Sequence, residues 1–178
     1  MAVLGDNTQG VDSFPCSGDR ALVTALTAVD SGSINSAYAY FDPGSSAGMN
    51  AKVILHQHDG TDPTALVAVS SSLAVPSGGG LVGPFTMSGS FSAGLLAVGI
   101  VADNYEAQLQ EDLYVTGFTT QMANGTYSFA SPPASWPGTD GTYASVQLNV
   151  WIDYTPSGGG GSILIPKQSS RIARLLSF

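Results

Sequence analysis

The chain has 178 residues, 10% of them charged, and a formal net charge of −8. A domain of that size buries roughly 68–70% of its unfolded surface, and with Cys16 as the single cysteine no intrachain disulfide framework takes part. An acidic body lacks the basic face that phosphate contacts demand, which excludes nucleic acid as a partner. The longest apolar run, 94–102, falls well short of the ~20 residues of a membrane-crossing helix, so no membrane insertion is expected.

In chain order, "MAVLGDNTQG" carries neither a basic n-region nor an apolar h-region, so no signal peptide is expected and the chain reads as either cytoplasmic in origin or trimmed. Candidate strands then recur at short spacing: 21–28, 33–42, 51–58, 65–71, 83–87, 95–102 and 145–155. The separators "DPGSSAG", "HDGTDP", "PSGGG" and "NGT" supply residues that accept positive φ or preset a turn. In the last run Val146, Leu148, Val150, Ile152 and Tyr154 share one face, while Gln147, Asn149, Trp151 and Asp153 share the other. The stretch 103–112, "DNYEAQLQED", reads as a short helix or a polar loop. With no long helical period and no internal repeat, these strands predict an all-β chain folded as a two-sheet sandwich.

The segment "AKVILHQHDGTDPTALVAVSS" resembles the middle of a jelly-roll domain found in phage genomes and bacterial surface proteins, through Val53, Leu55, Asp59, Gly60, Pro63, Leu66, Ala68 and Ser70. "GDRALVTALTAVDSGSINSAYAYFD" is similar to that family's opening. "FSAGLLAVGIVAD" is similar to a later strand, with Leu95 and Leu96 standing where the family carries an aromatic pair. The resemblance implies a galactose-binding-like jelly-roll β-sandwich over residues 1–156. It does not supply a function, because jelly rolls serve sugar binding, adhesion and capsid building alike.

No catalytic set stands out. There is no G-x-S-x-G elbow, and neither histidine has a triad context. His56 and His58 share a strand face with Asp62 four residues on, the spacing of half a cupin metal site. The second half is missing, so both read as an exposed strand end and no metal is expected. Asp103, Glu106, Glu111 and Asp112 with Asn104 offer the oxygens that calcium takes. Acidic loops more often solvate a surface, so no cofactor is expected, a structural calcium there being the alternative. Trp136 and Trp151 are the candidate sugar-stacking residues, Trp151 lying opposite the apolar face of its strand as a second-layer core residue or an exposed platform.

The chain closes on "PSGGGGSILIPKQSSRIARLLSF". Thirteen acids against two basic residues leave the body about −11, whereas Lys167, Arg171 and Arg174 make the tail +3. Residues 157–161 read as a flexible Gly-rich linker and 162–178 as a docking arm. In the arm Ile163, Leu164 and Ile165 suit addition to a partner's sheet edge. Ile172, Leu175 and Leu176 follow at helical spacing, with Phe178 at the end. A jelly-roll body with such an arm predicts a non-enzymatic bacteriophage virion protein, a head decoration or a fibre- or tail-associated component. Its expected partners are other virion proteins and copies of itself as a homo-oligomer. The alternative expectation is a carbohydrate-binding or adhesion module of a surface protein, with a host-surface glycan as partner.

Overall fold

The computed structural model describes residues 1–16, 18, 20–42, 49–103, 107–113, 117–123 and 127–158. The strands among them are β1 (Ala2–Gly5), β2 (Asp12–Cys16), β3 (Ala21–Ala28), β4 (Gly32–Phe41), β5 (Asn50–His58), β6 (Pro63–Val69), β7 (Leu73–Ala74), β8 (Gly80–Phe85), β9 (Ser90–Phe91), β10 (Gly94–Ala102), β11 (Ala107–Leu113), β12 (Thr119–Ala123), β13 (Thr139–Ala144), β14 (Val146–Leu148) and β15 (Val150–Pro156). One sheet runs β1-β15-β4-β11-β14, with β8 and β9 also paired to β4 and β2 to β11. The other runs β13-β12-β3-β10-β5-β6, with β7 on β5. Between β3 and β12 the chain shuttles from one sheet to the other, so the fold is an all-β sandwich of jelly-roll-like character.

Side-chain alternation sets the layers. On β10 the core takes Leu96, Val98, Ile100 and Ala102, and on the last two strands Leu148, Val150, Ile152 and Tyr154. On β4 the inward positions are Ile34 and then Ala37, Ala39 and Phe41. The three-residue step comes from a bulge: Asp153 pairs with Ser36 but Tyr154 with Ile34, so Asn35 is one residue too many and shifts the phase of the strand. Phe41, Phe85, Leu55 and Met49 fill the middle of the sandwich with no exposed surface.

A second apolar cluster lies on the outer face of the β3-β10-β5 sheet. Ala21, Val23, Ile54, Ala97 and Val101 are covered there by Tyr127, Phe129 and Trp136. These three belong to the connection between β12 and β13, which crosses that face as a strap. It is tied to the edge strand β6 by Leu66 N–H to Ala134 O at 2.9 Å and Trp136 N–H to Thr64 O at 2.9 Å. Lys52 Nζ donates to Phe129 O at 2.7 Å. Small alanines on the sheet leave room for the strap, and full burial of a large side chain such as Tyr127 contributes about 3 kcal/mol.

Two expectations are corrected. The polar stretch taken as a short helix or loop contains strand β11, which pairs with β2 on one side and with β14 and β4 on the other. Ladder bonds to its neighbours outweigh its polarity, and Gln110 and Glu111 are carried inside the sheet at 6% and 3% exposure. The run 145–155 is two strands, not one. It breaks at Asn149, whose N–H donates to Gln110 O and whose carbonyl accepts from Tyr40 N, so the chain passes there from β11 to β4. The arm, with Ile163, Leu164, Ile165, Lys167, Arg171, Ile172, Arg174, Leu175, Leu176 and Phe178, lies outside the described residues, as do Asn104 and Glu106.

Candidate functional site

His56 projects from the outer face of β5 opposite Ala97, whose small side chain makes space for an imidazole. It is completely buried, so it is not the exposed strand end that its position before a turn predicts. The strap, distant in sequence, is what buries it: Trp136 packs edge-on at 5.3 Å between ring centroids and Tyr127 at 5.7 Å. Nδ1 lies 3.1 Å from Thr64 O and Nε2 2.7 Å from the Tyr127 hydroxyl. A carbonyl only accepts, so Nδ1 carries the proton and Nε2 accepts from Tyr127. Burial lowers the His56 pKa, more than the Thr64 hydrogen bond raises it, and burial raises that of Tyr127. Near neutral pH both groups are therefore neutral, and both nitrogens of His56 are engaged within the fold.

His58, two residues on and on the same face, is fixed in the opposite tautomer. Gly60 N–H donates to its Nδ1 at 3.0 Å, so Nε2 carries the proton and donates to Gln121 Oε1 at 3.0 Å. That bond orients the amide of Gln121, whose Nε2 donates to Thr61 O at 2.9 Å and to Asp62 Oδ1 at 3.0 Å. Thr139 Oγ1 donates to the same Asp62 oxygen at 2.6 Å, and Trp136 Nε1 donates to Thr139 Oγ1 at 3.1 Å. The turn that presents Asp62 is itself braced: Asp59 Oδ1 accepts from the backbone N–H groups of Thr61 and Asp62, which lowers the Asp59 pKa. Gly60 sits at φ +105°, a conformation that favours glycine.

These groups line an open cleft of about 810 Å³ at the uncovered end of the same sheet face. Its floor is Ala25 and Thr27 of β3 with Leu95 of β10. One wall is His58 with Gly60, Thr61 and Asp62, and the other is Gly117, Phe118, Thr119 and Gln121 with Thr139 and Thr142. Among the described lining residues Asp62 is the only carboxylate, and there is no lysine or arginine.

The two tryptophans do not meet. Trp136, part of the strap, is half-buried, with its indole N–H committed to the cleft wall. Trp151 lies on the outer face of the other sheet at 8% exposure, stacked on Tyr38 at 5.1 Å and tilted against Tyr40 at 5.7 Å. Of the carboxylates considered for calcium, Asp103 is engaged by the backbone and side-chain nitrogens of Asn50 at 2.8 Å, while Glu111 is buried within β11. Among the described residues no three His, Cys, Asp or Glu side chains gather as a metal site. Sequence reasoning missed Gln121, Thr139 and Tyr127, which carry no local motif and matter only because of what the fold places beside them.

The chain matches no family model and no curated protein.

Proposed function

We propose that this chain is a non-enzymatic structural protein of a bacteriophage virion, a head decoration or a fibre- or tail-associated component. In this reading it is made in the host cytoplasm and assembles with copies of itself and other virion proteins through residues 162–178. The observation that carries the reading is the division of charge and apolarity along the chain, an acidic body followed by a glycine run and a basic, aliphatic tail. The non-enzymatic part is supported by the two imidazoles, whose four nitrogens all make hydrogen bonds within the fold. No cofactor is part of this reading.

Truncation tests it. The last strand, β15, is held between β1 and β4, and Ser157 N–H donates to Ser31 O at 2.8 Å, so a chain ending at Gly158 keeps every described strand. That truncated chain is expected to retain its β-sheet circular dichroism and its Tm while sedimenting as a smaller species than the full chain. An unchanged oligomeric state overturns the arm assignment.

A second reading, a carbohydrate-binding or adhesion module, is favoured by the cleft, whose lining combines hydroxyls, an amide and one carboxylate with exposed aliphatic surface. Retention of the full chain on a glycan array tests it.

A further inference from the structure

We infer that the cleft beside the 58–62 turn is the glycan site of that second reading, on which this inference rests. Its ligand is a neutral, hydroxyl-rich sugar that contacts Asp62, Thr27, Thr119 and Thr142, with Gln121 and His58 as positioning residues.

Register puts the three threonines and Gln121 on one surface. Thr27 pairs with Leu95, and Gln121 pairs with Thr142 and with Val23 of the outer-face cluster. Thr119 precedes Gln121 by two residues on β12, so it shares that face. The three threonine hydroxyls make no hydrogen bond among the described residues, and each both donates and accepts, which matches a sugar hydroxyl. Asp62 divides its work between its two oxygens. Oδ1 is taken by Gln121 and Thr139, whereas Oδ2 has no partner among the described residues, and Asp62 lines a cleft with room for one. A carboxylate oxygen accepting from a hydroxyl makes a charge-assisted bond.

The lining also says what is rejected. With one carboxylate and no lysine or arginine among its described lining residues, the cleft disfavours phosphate, sulfate and acidic sugars. Leu95, 42% exposed, and the partly buried Phe118 give apolar surface on which the C–H face of a pyranose can lie. The volume of about 810 Å³ falls within the range of roughly 300–1,000 Å³ usual for small-molecule sites. Preorganisation comes from the chain Trp136–Thr139–Asp62–Gln121–His58. Each member is fixed by a hydrogen bond to the next, so Asp62 is held in place before a ligand arrives.

The test uses the full chain. A glycan array gives the first result, and amide NMR titrations with galactose, glucose, N-acetylglucosamine and N-acetyllactosamine locate the site. Shifts are expected in residues 58–62, 117–121 and 139–142. Asp62→Asn is expected to weaken binding at least about tenfold, a loss of about 1.4 kcal/mol. Thr27→Ala and Thr142→Ala, at exposed positions, are expected to weaken it severalfold with Tm unchanged, which keeps the inference testable should Asp62→Asn disturb the turn. Asn35→Ala on the other sheet is expected to leave binding intact. Sugar binding that survives all three cleft substitutions, or shifts confined to the face around Trp151, overturns the cleft assignment and leaves the glycan reading standing. Absence of binding to any glycan overturns both. Preference for a sialylated or sulfated glycan, or for glucosamine over N-acetylglucosamine, overturns the neutral ligand.

Discussion

Tyr127→Phe removes one oxygen and nothing else. The ring keeps its contacts with His56 and with Trp136, 5.6 Å away between centroids, so the cavity created is minimal. What changes is His56 Nε2, which loses its donor at 2.7 Å inside a region where both residues have no exposed surface. A buried acceptor left unpaired costs about 1–3 kcal/mol. For a domain of this size each kcal/mol moves Tm by roughly 2–4 °C, so a cost of about 2 kcal/mol lowers Tm by about 4–8 °C. Thermal unfolding followed by circular dichroism measures it, and a double-mutant cycle with His56→Leu assigns it. His56→Leu alone strands the Tyr127 hydroxyl, while the double variant strands neither group of the pair, so the double loses less than the sum of the singles, by about 0.5–3 kcal/mol. A shift below about 1 °C for Tyr127→Phe, or strict additivity, refutes the argument that this hydroxyl serves the imidazole.

The same imidazole predicts an acid dependence. Its folded pKa is lowered by burial, so between that value and the ordinary 6.5 the unfolded chain binds more protons than the folded one. Stability therefore falls as pH drops below about 6.5, by at most about 1.4 kcal/mol per pH unit, and levels off once the folded state also protonates. Urea midpoints at a series of pH values check this, and His56→Gln is expected to flatten the slope. Gly60→Ala is expected to cost about 1–2 kcal/mol through the backbone rather than through crowding, because φ is +105° and the nearest atom to an added Cβ is Leu95 Cδ1 at 3.9 Å. Equal Tm values for Gly60→Ala and the parent chain contradict that.

What the sequence revealed and what it hid divide along a physical line. Strands β3, β5 and β10 were legible because their apolar runs are bounded by turn residues, and the alternation from Val146 to Tyr154 correctly marked the face that meets the core. β1, β2 and β12, of four or five residues each, and the polar β13 escaped notice, and pairing makes them strands: β1 exists through Ala2 opposite Tyr154, at the far end of the described chain. β11 was hidden by its own polarity. His56 illustrates the same limit at the site. Its position on a strand face was readable from spacing, but its burial depends on Tyr127 and Trp136, which arrive from a connection that no local pattern ties to β5.

The outer face of the β3-β10-β5 sheet is divided between two uses, and β5 serves both. Under the strap, His56 is a closed structural group with its proton on Nδ1. Two residues on, beyond the strap, His58 holds its proton on Nε2 and aims it at Gln121. A fold that needed only stability had reason to extend the strap over the remaining aliphatic surface, because Leu95 stays 42% exposed at the floor of the cleft. Instead Trp136, the residue that seals one half, donates its indole N–H to Thr139 and through it steadies Asp62 in the other half. Trp136→Phe separates the two roles. It preserves the apolar cover over His56 while releasing Thr139, so a loss of sugar affinity larger than the loss of stability would place the indole in the service of the cleft, and the reverse would confine it to the core.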